Sequence, residues 1–306
     1  MMQCLLLSLL DWGHSDMPSR NLEIGQFQIG DLIMGRHTMF KVESLDIGNY
    51  DVNVQDYQAQ SSNELRFGQD TLKPTPIQMT IHLTKNKILE NVAGLMGSSK
   101  ILNFDNDPQL GDIQREWRAE DIFSEWNQIK PLYFRGGDGV TKMFFGRPGK
   151  FGYTLHRLVD SAYYNITAEF RRSDTFAYSE TEYYANLDLP DTPANFFLTR
   201  GNAPSWIRVI MWGPMTNPVI HFGTSQIALD WTLAADELVE LTSYPWLGRR
   251  IINSDGLSLA AKTDTYLEKV KIYDHAPIEI YWSSSGAITS NSKMRVYWHD
   301  AYQLLD

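Results

Sequence analysis

A chain of 306 residues is long for one hydrophobic core, and a ratio of one domain per ~150 residues predicts two. Apolar residues make up 43%, enough for both cores, while 37 acidic against 27 basic side chains leave a formal charge of −10, the opposite of the lysine and arginine surplus that tight binding to a phosphate backbone requires. The only cysteine, Cys4, excludes an internal disulfide and a thiolate metal cluster and fits a reducing compartment.

The chain opens on a short apolar run, Leu5 to Leu10. It has neither a positively charged start nor a small-residue cleavage site and is too short to cross a bilayer. It reads as a buried first strand or docked terminus of a soluble protein made in the cytoplasm, with no membrane insertion. YDVNVQDYQ, from Tyr50, is a weakly alternating strand candidate. PIQMTIHLT, Pro76 to Thr84, is the clearest strand of the first half. Ile77, Met79, Ile81 and Leu83 point one way and Gln78, Thr80, His82 and Thr84 the other, as a half-buried antiparallel strand requires. In NKILENVAGLMG, the residues Ile88, Leu89, Val92, Leu95 and Met96 recur at helical spacing before Gly97, which predicts a helix packed on the apolar face of that strand. A second short helix is expected around Ile113 and Trp117. LYFRGGDGVTKMFFG joins two β-prone runs through Gly136, Gly137, Asp138 and Gly139 and reads as a hairpin. YYNITAEFRRSD repeats the alternation, with Tyr164, Ile166, Ala168 and Phe170 opposing Asn165, Thr167, Glu169 and Arg171.

After Phe170 the chain turns polar and proline-punctuated, with no sustained period. The domain boundary is placed near Tyr178, giving residues 1–178 and 179–306. Short runs then alternate with turn signals: WIRVIMW, stopped by Gly213-Pro214; PVIHFG, begun after Asn217-Pro218; SQIALDWTL; RRIINSDGLSLAA, whose Asp255-Gly256 is a strong hairpin signal; YLEKVKIYD; APIEIYW; and KMRVYWHDAY. Proline fixes its own φ, donates no amide hydrogen and keeps the preceding residue out of the helical region. Pro214 and Pro218 therefore rule out a helix and leave a connection of fixed shape between extended segments. Strands at this spacing with no long helix indicate a β-sandwich or jelly roll. The predicted fold class is mainly β: a first domain that is mostly sheet with a helix packed on it, followed by a β-sandwich or jelly roll.

Signatures of catalysis are missing: there is no G-x-S-x-G, H-E-x-x-H, G-x-x-x-x-G-K or C-x-x-C. His82 and His299 fall on the more polar faces of alternating strands, where solvation explains them. DNDPQLGDIQRE sets Asp105, Asp107, Gln109 and Glu116 at calcium-loop positions, but Leu110 replaces the required glycine and Pro108 intrudes. A polar loop capping the helix toward Trp117 accounts for it, and no catalytic residue, cofactor or metal is expected. With so many acids, some pair always falls at glycosidase separation, so paired carboxylates carry no weight. The tryptophans carry more. Trp282 shares parity with Ile278 and Ile280, and Trp298 with Met294 and Val296, so both look inward. Trp206 and Trp212 share a face with Arg208 and Ile210, and Trp246, after Tyr244-Pro245, is expected exposed in a loop. Trp246, Trp206 and Trp212 are candidate glycan or partner contacts, because an indole offers an apolar face to a sugar ring. Packing between two sheets is the competing account.

FGRPGKFGY, ITAEFRRSDTFAY, IRVIMWGPMTNPVIHF and the ending VYWHDAYQLLD together resemble the distal tail proteins of long-tailed (siphovirus-type) bacteriophages, in their minor tail protein form. GPMTNP and W-x-D-A-Y are the most specific parts. The likeness spans about residues 30 to 306, and the first thirty residues match nothing. The resemblance implies a first domain like the tail-tube fold, a β-sandwich or split barrel with a packed helix, and a second that is a galectin-like or carbohydrate-module-like β-sandwich. It implies a virion protein assembled in the host cytoplasm, in a ring of usually six copies between the tail tube protein and the central hub or tail-associated protein. The tape measure protein and other minor tail or receptor-binding proteins are the remaining partners, and no catalytic residues carry over. A ring needs a heterologous contact whose rotation closes, which pairable sheet edges suit. The negative charge fits a lumen that DNA passes without adhering. Gln78, Thr80, His82 and Thr84 are the candidate ring-interface or lumen face. The alternative function is adhesion to a host-surface carbohydrate.

Overall fold

The computed structural model describes residues 21–47, 51–58, 65–68, 71–84, 108–118, 123, 128–158, 161–196, 201–223, 225–272 and 278–303. The run Leu5 to Leu10, the helix expected over 86–97, and Asp105 and Asp107 lie outside the described residues. The chain divides into two compact units, residues 22–177 and 178–305.

In the first unit the strands are β1 (Gln26–Ile29), β2 (Leu32–Gly35), β3 (Phe40–Asp46), β4 (Asp51–Asn53), β5 (Tyr57–Gln58), β6 (Leu65–Arg66), β7 (Thr71–Lys73) and β8 (Ile77–Thr84). After the helix α1 (Pro108–Arg118) come β9 (Leu132–Arg135), β10 (Thr141–Phe144), β11 (Gly146–Leu158) and β12 (Ser161–Arg172). One antiparallel sheet runs β2-β1-β9-β10, its last pair being the hairpin expected around Asp138. The other runs β11-β12-β8-β3. Its centre is the alternating strand read from the sequence: Ile77, Met79, Ile81 and Leu83 are all buried, and Ile81 faces Ile166 on one side and Val42 on the other. Helix α1 forms where Leu110, Ile113 and Trp117 recur on one face, and all three are buried. Arg115 and Arg118 in its last turn complement the helix dipole. The Trp117 indole N–H donates to the Glu169 carbonyl at 3.0 Å, tying the helix to β12.

The stretch from Tyr50 does not form the half-buried strand expected. It yields two short pieces, β4 and β5, whose partners are β7 and β6 in separate two-stranded ribbons. Asp51, Val52 and Asn53 are all exposed. Valines at alternate positions set a β preference, but Val52 and Val54 are both exposed, so neither face of the ribbon is buried along this stretch.

The second unit comprises β13 (Ala177–Leu187), β14 (Ala194–Phe196), β15 (Ser205–Trp212), β16 (Met215–Thr216), β17 (Val219–Phe222), β18 (Ser225–Ala228), β19 (Thr232–Leu233) and β20 (Leu238–Thr242). It continues with β21 (Arg250–Asn253), β22 (Lys271–Ile272), β23 (Ile278–Ser283) and β24 (Lys293–Tyr302). Strands β13-β24-β15-β20-β21 form one sheet and β14-β23-β17-β18 another. Their inner faces share one core that includes Val209, Met211, Leu241 and Val296 from the first and Ile220, Ile280 and Trp282 from the second. This is a β-sandwich, with Trp282 and Trp298 turned inward as their parity predicts.

Three expectations need correction here. The polar stretch after Phe170 is not aperiodic, because residues 177–187 form a continuous strand. Its acids hide the alternation of Tyr183, Ala185 and Leu187, which pack on the core. YLEKVKIYD supplies only the two-residue β22, preceded by a 3-10 turn at Leu267–Lys269. The Asp255-Gly256 turn forms, with Gly256 at φ +80, but its return limb is a single bridge, Ile252 to Ser258. At GPMTNP the two prolines bracket β16, which pairs with β19. Gly213 is required there, since a Cβ would fall 1.9 Å from the Ala234 carbonyl oxygen. Among the described residues no helix is long and apolar enough to cross a membrane.

Candidate functional site

Gln78, Thr80 and His82 sit on the face of β8 opposite the buried row, and the strand ends at Thr84, whose side chain lies outside the described residues. On the same rungs stand Glu169, Thr167 and Asn165 of β12, and Asp46, Ser44 and Lys41 of β3. β8 and β12 are interior strands, so their backbone groups are used in ladders on both sides and this face recognises through side chains alone. A groove of about 510 Å³ lies on it, lined by Asp46, Gln78, Thr80, Lys150, Thr167 and Glu169 among others. Beside the groove, His82 Nε2 lies 2.7 Å from Glu43 Oε2. The rings of His82, Tyr163 and His156 stack across three adjacent strands, with centroids 5.5 and 4.9 Å apart. This is a hydrogen-bonding, weakly acidic surface. The Glu116 carboxylate, considered above for calcium, is instead ion-paired with Lys130.

The tryptophan candidates separate. Trp246, expected exposed, is only 4% exposed. The turn Pro245–Leu247 carries it into an aromatic cluster, where it stacks on Tyr244 at 4.7 Å and packs against Tyr178 and His299. His299 is likewise buried rather than solvated, with Nδ1 at 2.8 Å from the Ser179 carbonyl. Trp206 is buried beneath the cations of Arg249 and Lys271. Trp212, half-buried at the end of β15, is the one that keeps an accessible face.

Sequence reading missed the polar network on that sheet. Arg208 reaches both oxygens of Glu182, at 3.2 and 2.6 Å, and the Tyr244 hydroxyl donates to Glu182 Oε1 at 3.0 Å. Burial, followed by the Glu182 charge and hydrogen bond, pushes the Tyr244 hydroxyl well above its usual value. Burial alone would lower Arg208, but its bond and charge interaction with Glu182 outweigh that and raise it. One of two Glu in a polar stretch and a lone Arg in an apolar strand gave no sign of being partners.

No family model and no curated relative matches the chain. Among solved structures, the Dit protein of phage SPP1, a paradigm of the hub adsorption apparatus in phages that infect Gram-positive bacteria, matches 90% of this chain and 98% of its own. The TM-score is 0.55 at 8% sequence identity. The chain has the fold of a phage distal tail protein. A chain of the phage P2 baseplate in its activated conformation with Ca is similar over 91% of this chain and 99% of its own, at 10% identity and a TM-score of 0.46. At such identity the distal tail likeness is one of fold, and no residue's role transfers.

Proposed function

We propose that this chain is a structural, non-enzymatic component of a phage tail tip, forming a closed ring that joins the tail tube to the baseplate hub and leaves a passage for DNA. The distal tail fold supports the setting. The observation that carries self-assembly is the pair of ribbons β4/β7 and β5/β6. Val52 and Leu72 within them and Val54 and Phe67 just beyond their strand ends are exposed, Phe67 at 82%. Apolar side chains gathered in one short segment and left in water mark a contact surface, and the occupant that fits a ring is the next copy. The contact is heterologous, ribbons of one protomer against a different face of its neighbour, so rotation closes it. In this reading residues 1–178 build the ring, and residues 179–306 form a galectin-like sandwich available to hub and receptor-binding proteins. The polar row Gln78, Thr80, His82 and Thr84 faces the channel or the neighbouring protomer.

Light scattering and negative-stain imaging of the purified chain test this. Closed rings, usually of six, are expected, and Phe67→Asp is expected to leave monomers with an unchanged thermal midpoint. A wild-type chain that stays monomeric at every concentration and never enters a tail overturns the proposal.

A further inference from the structure

On the outer face of the β13-β24-β15-β20-β21 sheet, cations lie over aromatic rings. The Arg295 guanidinium is 4.9 Å from the Tyr184 ring centroid, 5.7 Å from Trp212 and 5.9 Å from Tyr297. Lys293 Nζ is 5.4 Å from Trp212. Arg295 is held in place: its Nε donates to Asn186 Oδ1 at 2.7 Å and its Nη1 to the Tyr297 hydroxyl at 3.2 Å. Tyr184 is 59% exposed and Trp212 half-buried, so the platform meets solvent.

Charge separates Lys293 and Arg295 from their neighbours. Arg208 is paired with Glu182, and Arg250 lies 3.8 Å from Glu240. Among the described residues neither Lys293 nor Arg295 has a carboxylate partner, in a chain of net charge −10. Two uncompensated cations set on planar rings form a surface complementary to an anion. They are two residues apart on one strand, roughly 7 Å along it, close enough to meet one anionic group or successive groups of a polymer.

We propose that Tyr184, Asn186, Trp212, Lys293, Arg295 and Tyr297 bind an anionic glycan, a sugar polymer bearing carboxylate or phosphate groups. Rings with polar tips suit the apolar faces and hydroxyls of sugars, and the two cations take the anion. An acidic peptide fits less well. Peptides that add to a sheet use an edge strand, whereas β24 and β15 are interior strands with no free backbone to offer. The proposal goes beyond the structural role above and does not depend on ring formation.

The test uses the full chain against four immobilised probes: polygalacturonate, phosphomannan, neutral dextran and polyglutamate. Binding to polygalacturonate or phosphomannan is expected, whichever is stronger naming the anion, and raised salt weakens it. Arg295→Gln and Trp212→Ala are each expected to weaken it at least tenfold, on the order of 1.4 kcal/mol, while ring formation is unchanged. Lys293→Gln, an exposed substitution that leaves the fold intact, is expected to weaken it several-fold, and it decides the matter if Trp212→Ala does not fold. No binding to either anionic sugar, equal binding to dextran, polyglutamate bound as tightly as the sugars, or indifference to Arg295→Gln and Lys293→Gln overturns the proposal.

Discussion

Glu182 serves two donors at once, Arg208 and the buried Tyr244 hydroxyl, with only 9% of its own side chain exposed. Removing it leaves a mostly buried guanidinium without its hydrogen-bonded carboxylate, with only the more distant Glu240 charge remaining, which costs about 3–5 kcal/mol. Glu182→Ala should therefore lower the urea midpoint far more than a change at exposed Thr181. Tyr244 adds a pH dependence of definite sign. An acid whose folded value stands above its unfolded value of about 10 keeps its proton in the fold longer than in the unfolded chain. Its stabilisation is complete below that pH and is lost as pH rises beyond it. Stability measured by denaturant between about pH 8 and 11 should fall on the alkaline side, and less steeply in Tyr244→Phe, which has no proton to lose. Neither feature was legible locally. Tyr244-Pro245 announces a turn, and turns are ordinarily wet. That this one is roofed by Tyr178 and His299, residues far away in sequence, depends on tertiary packing.

Among elements, β8 was legible and β13 was not, for one reason. Strict alternation reveals a strand only where the outward residues are polar and the inward ones apolar along its whole length. Ile77 to Thr84 meets that condition, whereas Glu180 and Glu182 obscure it in residues 177–187. The alternation of β8 has an energetic counterpart. Ile81→Ala opens a cavity at a fully buried site and should cost about 2–5 kcal/mol, while Thr80→Ala on the opposite face should stay within about 0.5 kcal/mol. Chemical denaturation of the two variants side by side checks the contrast. The GPMTNP connection makes a similar claim on shape: any side chain at Gly213 meets the Ala234 carbonyl, so Gly213→Ala should destabilise by roughly 1–3 kcal/mol and lower the thermal midpoint accordingly. Composition announced the turn there, and only the three-dimensional approach of residue 234 shows why the glycine is needed.

For the whole molecule, the proposed ring raises the question of where DNA would meet it, and charge supplies the test. The groove on the β8 face is lined by the carboxylates Asp46 and Glu169 and one lysine, Lys150, and the whole chain carries −10, so the wild-type ring should not retain duplex DNA at moderate salt. Placing Gln78→Lys and Thr80→Lys on that face adds two cations per protomer, and each phosphate they neutralise releases counterions, giving a binding that falls steeply with salt. Retention alone does not locate the lysines, because cations anywhere on a surface attract DNA. Topology does. A linear duplex can thread a closed ring and a covalently closed circle cannot. If the Gln78 face lines the hole, assembled double-lysine rings should retain linear DNA and release circular DNA of equal length. Equal retention of both forms would put that face outside the channel, against a neighbour or in solvent, and the passage would have to be lined by other residues.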